Sequence, residues 1–199
     1  MDLVSRVKAI LLKPNETWTE IKNEPATVKD LFTSYAAILA AIPPIASFVG
    51  FSLIGMSVLG FHYRMPLGSG LGHLIVSYVF SLAGIYIVGM IIDALAPSFG
   101  SSKNQLNAMK VAVYSWTPGW VAGIFLIIPS LAPLSMLASL YGLYLFYVGL
   151  PILMETPQDK SMGYVIVTIL VSIVISILVG TVSGALFGYG RGGMMGWRF

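Results

Sequence analysis

The chain has 199 residues, 57% of them hydrophobic and only 10% charged, with a positive mean hydropathy; that balance excludes a soluble globular domain and fits a polytopic membrane protein. The formal net charge is +3, but the basic residues are scattered at segment ends with no patch to match a phosphate backbone, so nucleic acid is not a partner. There is no cysteine, which rules out disulfides and thiolate metal sites, and the two histidines, His62 and His73, argue against zinc chemistry.

In chain order, residues 2 to 12 place Leu3, Val4, Val7, Ile10 and Leu11 on one helical face, with Arg6 and Lys8 off it. This is the pattern of a helix lying in the membrane interface or packing on the mouth of a bundle. No cleavable signal is expected, because Lys13 and Pro14 interrupt the apolar run. Pro14 ends the first helix, and Thr17-Trp18-Thr19-Glu20 has the capping-box pattern for a short second one, closed by Pro25. Thr27-Val28-Lys29-Asp30 repeats that pattern at the entrance of the first apolar run.

Five runs are long enough for the ~20 residues that cross a hydrocarbon core: roughly Leu31 to Leu59, Leu71 to Leu95, Asn107 to Ile128, Leu134 to Met154 and Met162 to Phe187. An odd number puts the termini on opposite sides. Eight basic residues (Arg6, Lys8, Lys13, Lys22, Lys29, Lys103, Lys110, Lys160) flank one side and three (Arg64, Arg191, Arg198) the other, which predicts a cytoplasmic N-terminus. No internal repeat is visible, which weakens an inverted-repeat transporter reading.

Three features within the runs bear on function. Ser172, Ser176, Gly180, Gly184 and Gly188 recur every four residues, a ridge of small side chains that lets another helix approach, from the same bundle or from a second copy. Asp93 is the one acid within a span, near its cytoplasmic end. It is expected either to pair with Lys110 across the helix hairpin or to serve an ion or proton path. Pro43-Pro44, Pro118-Gly119 and Gly149 with Pro151 interrupt three spans, each removing a backbone donor. His73 and Asp93 share a span but stand about 30 Å apart at the helical rise, and His62 is in an outer loop, so no catalytic constellation, cofactor set or metal set is expected. Tyr141, Tyr144 and Tyr147 form an aromatic stripe of the packing kind.

The stretch YLFYVGLPILMETPQDK (144 to 160), taken with Tyr114-Ser115-Trp116-Thr117-Pro118, resembles the Yip family, the Ypt-interacting membrane proteins, and in particular its short prokaryotic branch. Four places carry the likeness: Pro14 to Trp18 with Glu24-Pro25, Ala40-Ala41-Ile42-Pro43, the YSWTP stretch with Tyr114 and Pro118, and Gly149-Leu150-Pro151 followed by Met154 to Lys160, which includes Pro157. The resemblance implies a five-helix Yip-type bundle with a cytoplasmic N-terminus and no catalytic signature. Eukaryotic relatives act in vesicle traffic and bind small GTPases. The long acidic N-terminal region of those relatives is missing here, and their Asp-Leu-Tyr-Gly-Pro type motif is reduced to Asp30-Leu31-Phe32, so GTPase binding is not carried over.

The expectation is therefore an all-α polytopic membrane protein: a cytoplasmic amphipathic segment (1–30), a five-helix transmembrane domain (31–188) and a Gly-rich tail (189–199). Its expected role is non-enzymatic and cofactor-free, organising membranes or serving as an adaptor through contacts with lipids, other membrane proteins or a second copy. The rival reading is a small-solute or ion channel or transporter with its site near Asp93.

Overall fold

The structure is a computed structural model that describes residues 2–58 and 61–187. It opens with a helical hairpin. In α1 (Leu3–Leu12) the Asp2 carboxylate caps the helix by accepting from the Ser5 amide at 2.9 Å. Helix α2 (Pro14–Asn23) starts at the proline itself, not at the expected Thr17 cap. A proline at the first helical position lacks only a donor that would go unused, and its fixed φ suits the turn. Thr17 is then one turn inside the helix, where its hydroxyl donates to the Lys13 carbonyl at 2.8 Å.

Thr27 and Asp30 form the expected capping box. They start α3 (Val28–Ile54), the first helix long and apolar enough to span a bilayer. It is irregular: Phe32–Ala36 and Val49–Ile54 are wide π-turns, and Ala40-Ala41 interrupt the helix just before Pro43-Pro44. The span also ends earlier than the expected Leu59. Gly55 takes φ 85°, and the chain leaves into a small antiparallel hairpin, β1 (Met56–Val58) against β2 (Phe61–Tyr63), with Met56 opposite Tyr63.

Helix α4 (Leu67–Leu95) has 29 residues, about 44 Å at 1.5 Å per residue, enough for a ~30 Å hydrocarbon core with tilt. The expected third span is not one helix. It is α5 (Gln105–Ser115), then α6 (Thr117–Ala122), then a 3-10 turn Gly123–Ile127. The break falls at Trp116, where Pro118 has no amide to continue the ladder. Pro43 of α3 packs against that 3-10 turn so closely that a Cβ on Gly123 would lie 2.5 Å from its Cγ. Helices α7 (Ala132–Leu153) and α8 (Gln158–Phe187) complete the described residues, with Pro151 inside α7 near its end.

Among the described residues, three helical stretches meet the length and apolarity of a membrane span: Val28–Ile54, Leu67–Phe99 and Pro129–Leu153. Large apolar side chains such as Ile75 and Val79 on α4, Leu137 and Leu140 on α7, and Ile166 and Leu170 on α8 stand exposed. Water would not tolerate such a surface, whereas lipid matches it. The core lies toward the end that carries the N-terminal hairpin, where Ile10, Trp18, Ile21, Ile92, Met109 and Leu150 are fully enclosed.

Candidate functional site

The most elaborated site is the mouth covered by α1 and α2. Trp18 of α2 is fully buried, with its indole laid over Gly149 of α7. A Cβ at Gly149 would sit 2.8 Å from Cζ2 and 2.9 Å from Cε2 of that ring, so the glycine exists to admit the tryptophan. Tyr114 meets the indole edge-on at a 6.1 Å centroid distance, and its ring in turn packs against that of Tyr35 at 4.7 Å. The Tyr35 hydroxyl shares a 2.8 Å hydrogen bond with Thr117 Oγ1. Tyr114 and Gly149, singled out separately in the sequence, thus meet at one tryptophan, and Pro118 follows the Thr117 that is bonded to Tyr35. Pro157 lies near Gly100 at the same end of the molecule.

The charges here are buried, not solvated. Lys110 of α5 is 3% exposed, and its ammonium donates to the carbonyls of Ile21 at 2.7 Å and Glu24 at 2.8 Å. These are last-turn carbonyls of α2, which have no partner within their own helix and sit at its negative pole. Arg6, expected off the packing face of α1, is 6% exposed and pairs with Glu24 and, at 3.5 Å, with Glu20. The structure does not bring Asp93 and Lys110 together as an ion pair among the described residues. Lys110 is turned to the end of α2, and Asp93 Oδ1 is buried without a hydrogen-bond partner among those residues.

Two seams fix the hairpin at its edges. Lys22 Nζ meets Glu155 Oε1 at 3.0 Å, and Ser102 Oγ donates to Glu155 Oε2 at 2.8 Å. Glu155 takes a left-handed φ of 55°, a conformation that costs a side-chain-bearing residue energy and is retained where its partners fix it. The Ser102 hydroxyl and then Lys22 hold its carboxyl below the ordinary value. On the other flank the Tyr141 hydroxyl, first of the tyrosine stripe, donates to the Leu11 carbonyl at 2.9 Å.

Sequence reasoning missed the Arg6, Glu24 and Trp18 cluster as a unit, although Trp18 and Glu24 both lay in the stretches that carried the family likeness. Of the small-residue ridge, Ser172 donates to the Thr168 carbonyl at 2.7 Å and faces a cavity between helices. The side-chain surroundings of Ser176, Gly180 and Gly184, and Gly188 altogether, lie outside the described residues. The cavity, about 1260 Å³, is walled by α4, α5, α6, α7 and α8 with no charged side chain, and Asp93 is not in its wall. Among the described residues no group of three or more His, Asp or Glu side chains is placed to hold a metal.

Long apolar helices with exposed apolar flanks, polar groups gathered at one end and buried charges satisfied there define a multi-pass α-helical integral membrane protein. The chain belongs to the Yip1 domain family, whose model matches residues 8–197. It is similar to the inner membrane protein YohC of Escherichia coli K12, with 24% identity over 191 residues, covering 94% of this chain and 98% of that relative. The YohC protein of Escherichia coli O6:H1 matches equally. No solved structure matches the chain.

Proposed function

We propose that this protein is a five-span, non-enzymatic component of the cell inner membrane that organises the membrane or acts as an adaptor, with its N-terminus in the cytoplasm and its C-terminus opposite. The third and fifth crossings would be the broken run from α5 to Ile127 and helix α8. The excess of basic residues on the N-terminal side supports the orientation, and the inner-membrane relative supports the compartment.

The observation that carries the adaptor role is the closed mouth. Lys110, Arg6, Trp18 and the Lys22–Glu155 seam fasten α1 and α2 over the bundle, leaving Lys13, Glu16 and Thr19 exposed as a fixed polar surface. Such a cap serves a partner better than a conduit, and the cavity walled by α4, α5, α6, α7 and α8 offers an ion no charged lining. A photoreactive residue at Glu16, illuminated in native membranes, should give discrete adducts with a membrane protein or a second copy. Proteoliposomes should show no proton or cation flux above empty vesicles. Absence of discrete adducts, together with a flux that Asp93→Asn abolishes, would replace the adaptor by the ion pathway.

A further inference from the structure

The cavity between α4, the α5–α6 break, α7 and α8 is independent of the capped mouth and of the adaptor reading. Its volume of about 1260 Å³ exceeds the ~300–1,000 Å³ of ordinary small-molecule pockets. Its wall is apolar and aromatic, with Phe80, Trp116, Leu140 and Phe146 among its members. Two hydroxyls in it are anomalous. Ser115 is 6% exposed and Thr168 fully buried, both line the cavity, and neither Ser115 Oγ nor Thr168 Oγ1 has a hydrogen-bond partner among the described residues. Buried hydroxyls in native structures are nearly always satisfied, and a helical threonine has its own preceding turn available as acceptor. Two partnerless hydroxyls in one apolar cavity mark where a ligand's polar group belongs.

Depth narrows the ligand. Thr168 lies six residues past Met162, where the fifth apolar run begins, about 9 Å along the axis and so well inside the boundary of a ~30 Å hydrocarbon core. A phospholipid headgroup does not reach that depth, and a charged group is not tolerated there without a counter-charge, which the wall lacks. We infer that this cavity binds one uncharged lipid, a long hydrocarbon chain carrying a hydroxyl or carbonyl group, with that group hydrogen-bonded to Ser115 and Thr168. Gly84 marks the empty volume: a Cβ there would meet nothing within 4 Å.

The test uses the full-length protein in nanodiscs and a diazirine-bearing hexadecanol. After illumination, adducts should concentrate on peptides containing Gly84 and Leu140. Excess unlabelled hexadecanol should compete them away, whereas hexadecane and hexadecyl phosphate should not. Ser115→Ala combined with Thr168→Val should weaken labelling there about tenfold, the loss expected of two modest hydrogen bonds. Gly84→Leu, which fills the cavity without touching the hydroxyls, should remove the labelling while leaving the melting temperature unchanged or raised. Uniform labelling around the perimeter, equal competition by hexadecane, labelling indifferent to Gly84→Leu, or adducts joining two copies at this face would each overturn the inference.

Discussion

Substituting Gly149 by alanine tests whether Trp18 is the pin that holds the N-terminal hairpin. The new Cβ would lie 2.8, 2.9 and 3.2 Å from three ring carbons of the indole. The ring would have to retreat by roughly 0.7 Å to regain the ~3.5 Å separation of a relaxed carbon contact. It has nowhere to go, being fully buried and braced by Tyr114. Overpacking of this kind costs ~1–3 kcal/mol. The exchange also removes a helical glycine, worth ~0.5–1 kcal/mol in the opposite direction. Gly84→Ala is the matched control: it makes the same change inside a helix but in open space, so the backbone contribution cancels and the steric cost remains. At about 2–4 °C per kcal/mol for a chain of this size, the Gly149 variant should melt ~2–12 °C below the Gly84 variant in the same detergent. Trypsin should also cut it faster at Lys8 and Lys22. Equal melting temperatures and equal cleavage rates would refute the packing argument.

Lys110→Met removes two charge-assisted bonds to the end of α2 and should cost about 2–4 kcal/mol, read as earlier melting and faster proteolysis of residues 1–25. Because Lys110 is committed to α2, Asp93→Asn and Lys110→Gln should be additive to within ~0.5 kcal/mol in a double-mutant cycle; strong coupling would restore the ion pair expected from the sequence. Glu155 has a carboxyl lowered by Ser102 and Lys22, so its stabilising contribution is complete above the ordinary value of 4.5 and is lost as pH falls through the lowered value. Melting curves should therefore show an acid limb that Glu155→Gln diminishes, and an unaltered limb would show that the seam is idle.

The membrane class and two of the spans were legible because they rest on long uninterrupted apolar runs. The expected Leu71 to Leu95 and Leu134 to Met154 correspond to α4 and α7 with shifts of a few residues at their starts. The break in the expected third span was marked by Pro118, but its depth was not, since whether a proline kinks or ends a helix depends on what else satisfies the freed carbonyls. In the first span Gly55 and the strand hairpin cut short an apolar run whose hydropathy gave no sign of stopping. The mouth was least legible. Arg6 and Lys110 read as solvated or topological charges, and their partners Glu24 and Ile21 lie 18 and 89 residues away, joined only by the fold. Gly149 did announce a close neighbour, but nothing local named Trp18 as that neighbour.

The central claim is that five crossings place the capped mouth in the cytoplasm and the C-terminus opposite. The chain contains no cysteine, so single cysteines introduced at Ser5, Lys103, Gln158, Ser69 and Gly193 can each be probed with a membrane-impermeant maleimide on sealed vesicles of both orientations. The account predicts labelling of the first three from the cytoplasmic side and of the last two from the other. Labelling of Ser5 and Gly193 from the same side would contradict it.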